Sequence, residues 1–217
     1  MKYFNIHRHS PANDLDETAI TSLFPEQEIP ENALCSIGIH PWHVDGISLN
    51  DALALLNRKC ICPAVVAVGE CGLDRACGVP FDLQLLAFRP QVELAAMLGK
   101  PLIIHCVRAY PELVFEKKSC RNSPPWIVHG FRGNPETASQ LIKHGFHLSF
   151  GEALMNDVRL GEILASVPED RYFLETDESN MSIREIYGKA ASLRNTDPES
   201  IIVQQRKNAL SLFGNGK

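Results

Sequence analysis

No stretch of this 217-residue chain approaches the roughly 20 consecutive apolar residues that a bilayer-spanning helix requires. The start, Met1-Lys2-Tyr3-Phe4-Asn5, has neither the apolar core nor the small-residue cleavage site of a secretory signal. Together these absences lead us to expect a cytoplasmic protein without membrane contact. Lysine- and arginine-rich blocks are missing as well, and the net charge is −5, which argues against a nonspecific nucleic-acid coat. The seven cysteines contain no Cys-x-x-Cys pair, so a structural zinc site of that type is excluded. Their odd number, and the closeness of Cys60 to Cys62, point to reduced thiols used as small apolar residues. A glycine-rich phosphate loop after the first apolar segment is also lacking, which disfavours an open, doubly wound nucleotide-binding sheet.

What is present is an alternation of short apolar strands with helical patterns, over a length that suits one domain spanning residues 1–217. Residues 2–6 read as a first strand. Residues 10–32 read as irregular, with Pro11, Asn13, Asp14, Pro25 and Pro30, interrupted by a brief strand over 19–24. A stronger strand over 33–39 ends at His40, and Ser48 is placed to cap a helix from Leu49 to Lys59. Strands then follow at 65–68, 101–104, 126–128, 146–150 and 172–177. Helices are expected over 80–98, with Pro90 as a kink or boundary, and over 109–118, 134–144, 157–166, 183–193 and 198–213, the last capped by Asp197. Such a series predicts a parallel sheet covered by helices. With seven or eight units the sheet can close, giving a distorted, compact TIM-type (β/α) barrel of the α/β class with a reduced early β/α unit.

His7, His9, His40, Glu70, His105, His129 and Asp177 all fall at or just beyond the C-terminal ends of these predicted strands. Each alone has an ordinary explanation, such as a core histidine or a capping carboxylate. Seven at corresponding positions point to one barrel mouth, where active sites of such folds are built. His7 and His9 lie two apart, so an extended strand turns both imidazoles to one side. Imidazoles and carboxylates without thiolates suit zinc, manganese, iron or magnesium. Two divalent ions would need a shared acidic ligand, for which Glu70 is the natural candidate, and such a pair promotes phosphoryl displacement by water.

Six motifs in order, His7-Arg8-His9, Gly38-Ile39-His40-Pro41, Gly69-Glu70-Cys71-Gly72-Leu73-Asp74, Ile104-His105-Cys106, His129-Gly130-Phe131 and Glu175-Thr176-Asp177, resemble the TatD-related metal-dependent deoxyribonucleases. The ending Asn208 to Gly214 is similar to that family's Asn-x-x-x-x-Phe-Gly close. The resemblance implies an amidohydrolase-like TIM barrel hydrolysing phosphoester bonds of DNA or a small phosphodiester, with two divalent ions such as Zn, Mg or Mn. It implies His7, His9, Glu70 and Asp177 as ligands of one ion and Glu70, His105 and His129 as ligands of the other. Glu70 and Asp177 are then the catalytic carboxylates, Asp177 taking the proton of the attacking water.

Around these residues, His40, Arg108 and Arg132 are candidates for phosphate contacts. Glu175 is placed on the strand face of Asp177 to orient a histidine, and Trp42 reads as a buried anchor, with a place lining the cleft together with His43 as the alternative. Asn5 stands where many members of the family carry an acid, and the segment after Asp177 lacks the usual proline- and arginine-containing loop, Ser179 to Ser182 being its remnant. Two other readings compete with a deoxyribonuclease: an amidohydrolase acting on a small amide, lactone or phosphoester, which the acidic balance favours, and a non-catalytic metal-binding barrel. Nothing in the sequence marks an obligate protein partner.

Overall fold

The computed structural model describes residues 2–10, 15–120 and 122–214; the predicted loop residues Pro11, Asn13 and Asp14 lie outside them. Eight strands, β1 (Tyr3–Arg8), β2 (Glu17–Leu23), β3 (Leu34–Ile37), β4 (Val65–Asp74), β5 (Leu102–Val107), β6 (Trp126–Val128), β7 (Phe146–Phe150) and β8 (Tyr172–Leu174), are ordered in the sheet as they are in the chain. Seven helices accompany them: α1 (Leu49–Cys60), α2 (Phe81–Leu98), α3 (Tyr110–Ser119), α4 (Pro135–Lys143), α5 (Val158–Ser166), α6 (Ile183–Leu193) and α7 (Pro198–Phe213). Among the described residues no helix lies between β1 and β2 or between β2 and β3. The early β/α unit is therefore reduced, and the brief strand expected over 19–24 is β2, which begins two residues earlier and runs for seven. All seven cysteines are free thiols, and among the described residues no helix is long and apolar enough to cross a membrane.

The chain divides into two compact units, residues 21–128 and residues 1–20 with 129–217. In the 21–128 unit, β3, β4, β5 and β6 pair in parallel, and their side chains are buried almost without interruption, as strands covered on both faces require. Helix α2 lies against β4. It runs through Pro90 as one 18-residue element, contrary to the predicted boundary. One forfeited backbone hydrogen bond is outweighed by Ala87, Phe88, Gln91, Val92, Leu94 and Ala95, which it buries on both sides of the proline.

Strands β4 and β5 are longer than the sequence suggests. Pairing continues through Gly72 with His105 and Asp74 with Val107, so Glu70 and His105 stand inside strands rather than at their ends. From Val68 to Cys71 β4 advances three residues while β5 advances two, a bulge that re-aims Glu70. Glycine is required on both sides of it: a Cβ on Gly69 would lie 2.3 Å from the Ile103 carbonyl oxygen, and one on Gly72 1.9 Å from that of His105.

In the other unit β7 pairs in parallel with β8, and Arg8 forms an isolated parallel bridge with Asp177. Tyr187 of α6 is buried with its hydroxyl donating to the Phe4 carbonyl (2.7 Å) and accepting from the Phe4 amide (3.1 Å), which fixes β1. Helix α7 is capped by Asp197, whose side chain accepts from the Ser200 amide at 2.9 Å. Its Asn208 donates to the carbonyls of Glu169 (2.7 Å) and Tyr172 (3.1 Å), while Phe213 packs 5.9 Å from Phe4 and 6.3 Å from Phe173, ring to ring. The closing Asn-x-x-x-x-Phe-Gly motif thus holds the entrance of β8 in place.

Candidate metal centre

In the unit formed by residues 1–20 and 129–217, His7 is fully buried in β1 and His9 follows the strand by one residue. Their Nε2 atoms stand 3.5 Å and 3.3 Å from the same oxygen, Asp177 Oδ1. His129, just past β6, packs its ring 4.2 Å from that of His7, and ligand atoms of His7, His129 and Asp177 lie within 4.8 Å of one another. Asp177 is beyond the end of β8 and has φ +53°, a conformation an aspartate tolerates. Strand β8 ends at Leu174, so Glu175 and Asp177 both follow the strand instead of sharing one of its faces. The Asp177 amide donates to the His7 carbonyl at 3.0 Å, which pins the carboxylate beside the histidines.

Burial alone would raise the pKa of Asp177, but hydrogen bonds from His7 and His9 and the nearby charge of His129 outweigh it and hold the carboxyl well below the usual range. It is ionised at neutral pH. Glu175, almost wholly buried, accepts from the Gly130 amide at 2.7 Å with the oxygen that stands 3.5 Å from His129 Nδ1.

Asn5, expected behind the histidines in the place of an acid, bonds both β2 and the segment after β8. Its Nδ2 donates to Glu17 Oε1 (2.7 Å) and Thr176 Oγ1 (2.8 Å), and its Oδ1 accepts from the Thr176 amide (3.2 Å). Glu17 also accepts from Arg8 Nη1 at 2.9 Å. The acid expected at position 5 is thus supplied from β2, and an amide is the group that can bond it. Asn5→Asp would set two carboxylates against each other in a buried place. We expect it to cost about 2 kcal/mol in urea denaturation; wild-type stability for this variant would show that the Glu17 bridge contributes nothing.

In the 21–128 unit, His40, Glu70 and His105 bring ligand atoms within 4.8 Å of one another. Glu70 Oε1 is 3.0 Å from His40 Nε2 and 3.2 Å from His105 Nδ1. The other nitrogen of His105, Nε2, is 3.0 Å from Asp74 Oδ2, a carboxylate that closes the Gly69–Asp74 motif and is missing from the candidate site residues. Positions 70, 72 and 74 recur with the period of a strand, which is the signal that could have found it. Asp74 Oδ2 also accepts from Trp42 Nε1 at 2.6 Å, and Oδ1 from the amides of Ala76 (2.7 Å) and Cys77 (3.2 Å). Burial would raise its pKa, but these donors, Trp42 and His105 foremost, bring it below the ordinary value.

With Nε2–H directed to Asp74, the Nδ1 lone pair of His105 faces an oxygen of Glu70. Two acceptors so placed are reconciled by a cation between them or by a second proton on the ring. His40 differs: Nδ1 accepts from the Trp42 amide at 3.2 Å, leaving Nε2–H to donate to Glu70. Burial lowers the pKa of His40, partly opposed by the Glu70 contact.

Donor chemistry and spacing both fit divalent ions. Nitrogen and oxygen ligands ~2.1 Å from an ion and about 90–110° apart stand roughly 3.0–3.4 Å from each other. The His105–Glu70, His9–Asp177 and His7–Asp177 separations of 3.2, 3.3 and 3.5 Å are in or next to that range. Arg108 and Arg132 are exposed and enter no ion pair among the described residues. Trp42 is not the buried anchor expected; it is 53% exposed.

The solved structure of YJJV, a TatD homologue from Escherichia coli K12, matches 97% of this chain and 97% of its own with a TM-score of 0.83 at 21% identity. The fold is accordingly α/β, of the distorted TIM-type barrel class. The family model for TatD related DNase matches residues 14–214. A 3'-5' ssDNA/RNA exonuclease TatD of Erwinia billingiae is 34% identical over 199 residues, 81% of this chain and 76% of that protein. The metal-dependent hydrolase YabD of Bacillus subtilis, described as uncharacterized, is 34% identical over 167 residues, 75% of this chain and 65% of that one. The chain belongs to the TatD-related DNase family.

Proposed function

We propose that this protein is a metal-dependent phosphodiesterase acting on DNA, its residues 1–217 working as a single hydrolase domain in the cytoplasm. The observation that carries the reading is the pair of imidazole–carboxylate clusters with ligand-like spacing, one in each unit. His7, His9, Glu70, His105, His129 and Asp177 are the proposed ligands of two divalent ions. Such ions, when bound, polarise a phosphoryl oxygen and acidify water. Asp177, held ionised, accepts a proton from the attacking water. Asp74 and Glu175 hold His105 and His129 in orientation. His40, with only Nε2–H to offer, orients Glu70. Arg108 and Arg132, exposed and without an ion pair among the described residues, are assigned to substrate phosphates.

The test is metal analysis of protein purified without added metal, paired with hydrolysis of single-stranded DNA and of bis(p-nitrophenyl) phosphate before and after chelation. Bound divalent metal and chelator-sensitive cleavage of both substrates are expected. Protein that carries no metal and keeps its activity in chelator would refute the reading. The net charge of −5 favours a second reading, a small amide, lactone or phosphoester as substrate. Turnover of such compounds with none on DNA would establish it.

A further inference from the structure

Trp42 stands beside the His40–Glu70–His105 cluster, exposed yet held rather than loose. Its Nε1 donates to Asp74 Oδ2 at 2.6 Å. Its ring meets those of His40 and His105 edge-on, with centroids 4.8 Å and 5.4 Å away. The backbone is fixed too, because Trp42 lies in a 3-10 turn opened by His40, whose Nδ1 accepts from the Trp42 amide. More than half of the residue nonetheless faces solvent. An indole left open to water is not there for core packing, and one whose polar edge is pinned by a buried carboxylate has already given up its rotamer freedom. Both properties suit a platform on which a flat ligand stacks.

We propose that Trp42 is a base-stacking residue for a single-stranded nucleic acid, seating the nucleobase beside the phosphodiester that the His40–Glu70–His105 cluster faces; this rests on the phosphodiesterase reading given above. Stacking on an aromatic face is tolerant of base identity, so the platform confers a preference for nucleotide-bearing over bare phosphodiesters rather than for a sequence. Asp74 gives the platform a second property. One oxygen of it bonds both Trp42 and His105, so the stacking surface and a candidate metal ligand share an anchor and keep a fixed distance. A small-molecule amidohydrolase would have no use for this exposed ring.

The protein has two tryptophans, and Trp126 is fully buried, so solvent-exposed indole emission belongs to Trp42. The experiment titrates the metal-loaded protein with a short single-stranded DNA carrying phosphorothioate linkages to slow cleavage. A second titration uses an abasic strand of equal length and linkage. The base-bearing strand is expected to quench the emission saturably, and the abasic strand to bind more weakly with little quenching. Trp42→Ala should lose ~5- to ~150-fold in affinity for the base-bearing strand, the span typical of replacing one stacking side chain with alanine, and with it most of the discrimination between strands. Trp42→Phe keeps a ring without the N–H and should retain most of that discrimination, which separates stacking from the Asp74 bond. Equal discrimination by wild type and Trp42→Ala, or emission that does not move at saturating strand, overturns the proposal. Hydrolysis of bis(p-nitrophenyl) phosphate, followed in parallel, keeps the two failures apart: with it intact only the stacking role falls, and without it under any divalent metal the phosphodiesterase reading falls as well.

Discussion

Glu70→Ala is expected to strip the 21–128 unit of its metal and to lower turnover on a generic phosphodiester by about 10³-fold or more, the equivalent of some 4 kcal/mol of electrostatic stabilisation. Much converges on this one carboxylate. Glu70 is 6% exposed, its Oε1 lies 3.0 Å from His40 Nε2 and 3.2 Å from His105 Nδ1, and a bulge between two obligatory glycines aims it there. Alanine removes the one charged ligand of this cluster, and a neutral nitrogen donor such as His105 alone holds a hard divalent ion poorly. Glu70→Gln keeps the shape and one oxygen but not the charge, so it should retain the fold while still losing metal. Metal content, kcat and a thermal melt on the same preparations check this. A Glu70→Ala protein with wild-type metal content and turnover would remove Glu70 from the site.

Asp177→Asn is expected to lower kcat by about 10²- to 10⁴-fold, the range typical of a missing proton acceptor, with a smaller change in KM. The aspartate is ionised because two histidines donate to it, and the backbone places it through the bridge to Arg8 and the amide bond to the His7 carbonyl. Asparagine can keep that backbone and one oxygen, yet it can neither take a proton nor neutralise a cation. The substitution should therefore also weaken metal held by His7 and His9, visible as a higher metal concentration for half-maximal activity. Unchanged kcat at saturating metal would limit Asp177 to a structural task.

Some of this was legible in the residues alone. The order of motifs and the strand–helix alternation define the fold class, because apolar runs of strand length followed by amphipathic helices have few packings open to them. Histidines and carboxylates at successive strand ends mark the chemistry. The strand ends themselves were less legible: β4 and β5 run past Glu70 and His105 because pairing between neighbouring strands, which no local pattern records, continues to Asp74 and Val107. Pro90 shows the reverse case, a local breaker overridden by burial on both sides of it.

The meaning of individual polar residues was settled only by their neighbours. Asn5 looks like a lost acid until Glu17 of β2 is seen bonding it, and Asp74 looks like the tail of a motif until His105 and Trp42 are found on one of its oxygens. The sequence by itself determined that these 217 residues form an α/β chain with imidazoles and carboxylates in a set order, since composition and periodicity act through neighbours along the chain. Which nitrogen of each histidine is committed, which carboxylate stands behind it, and that Trp42 is held open to solvent were decided by the tertiary structure. The reason is physical: Asp74 bonds His105 and Trp42 from 31 and 32 positions away, contacts that no local pattern records and that exist only once the strands have paired.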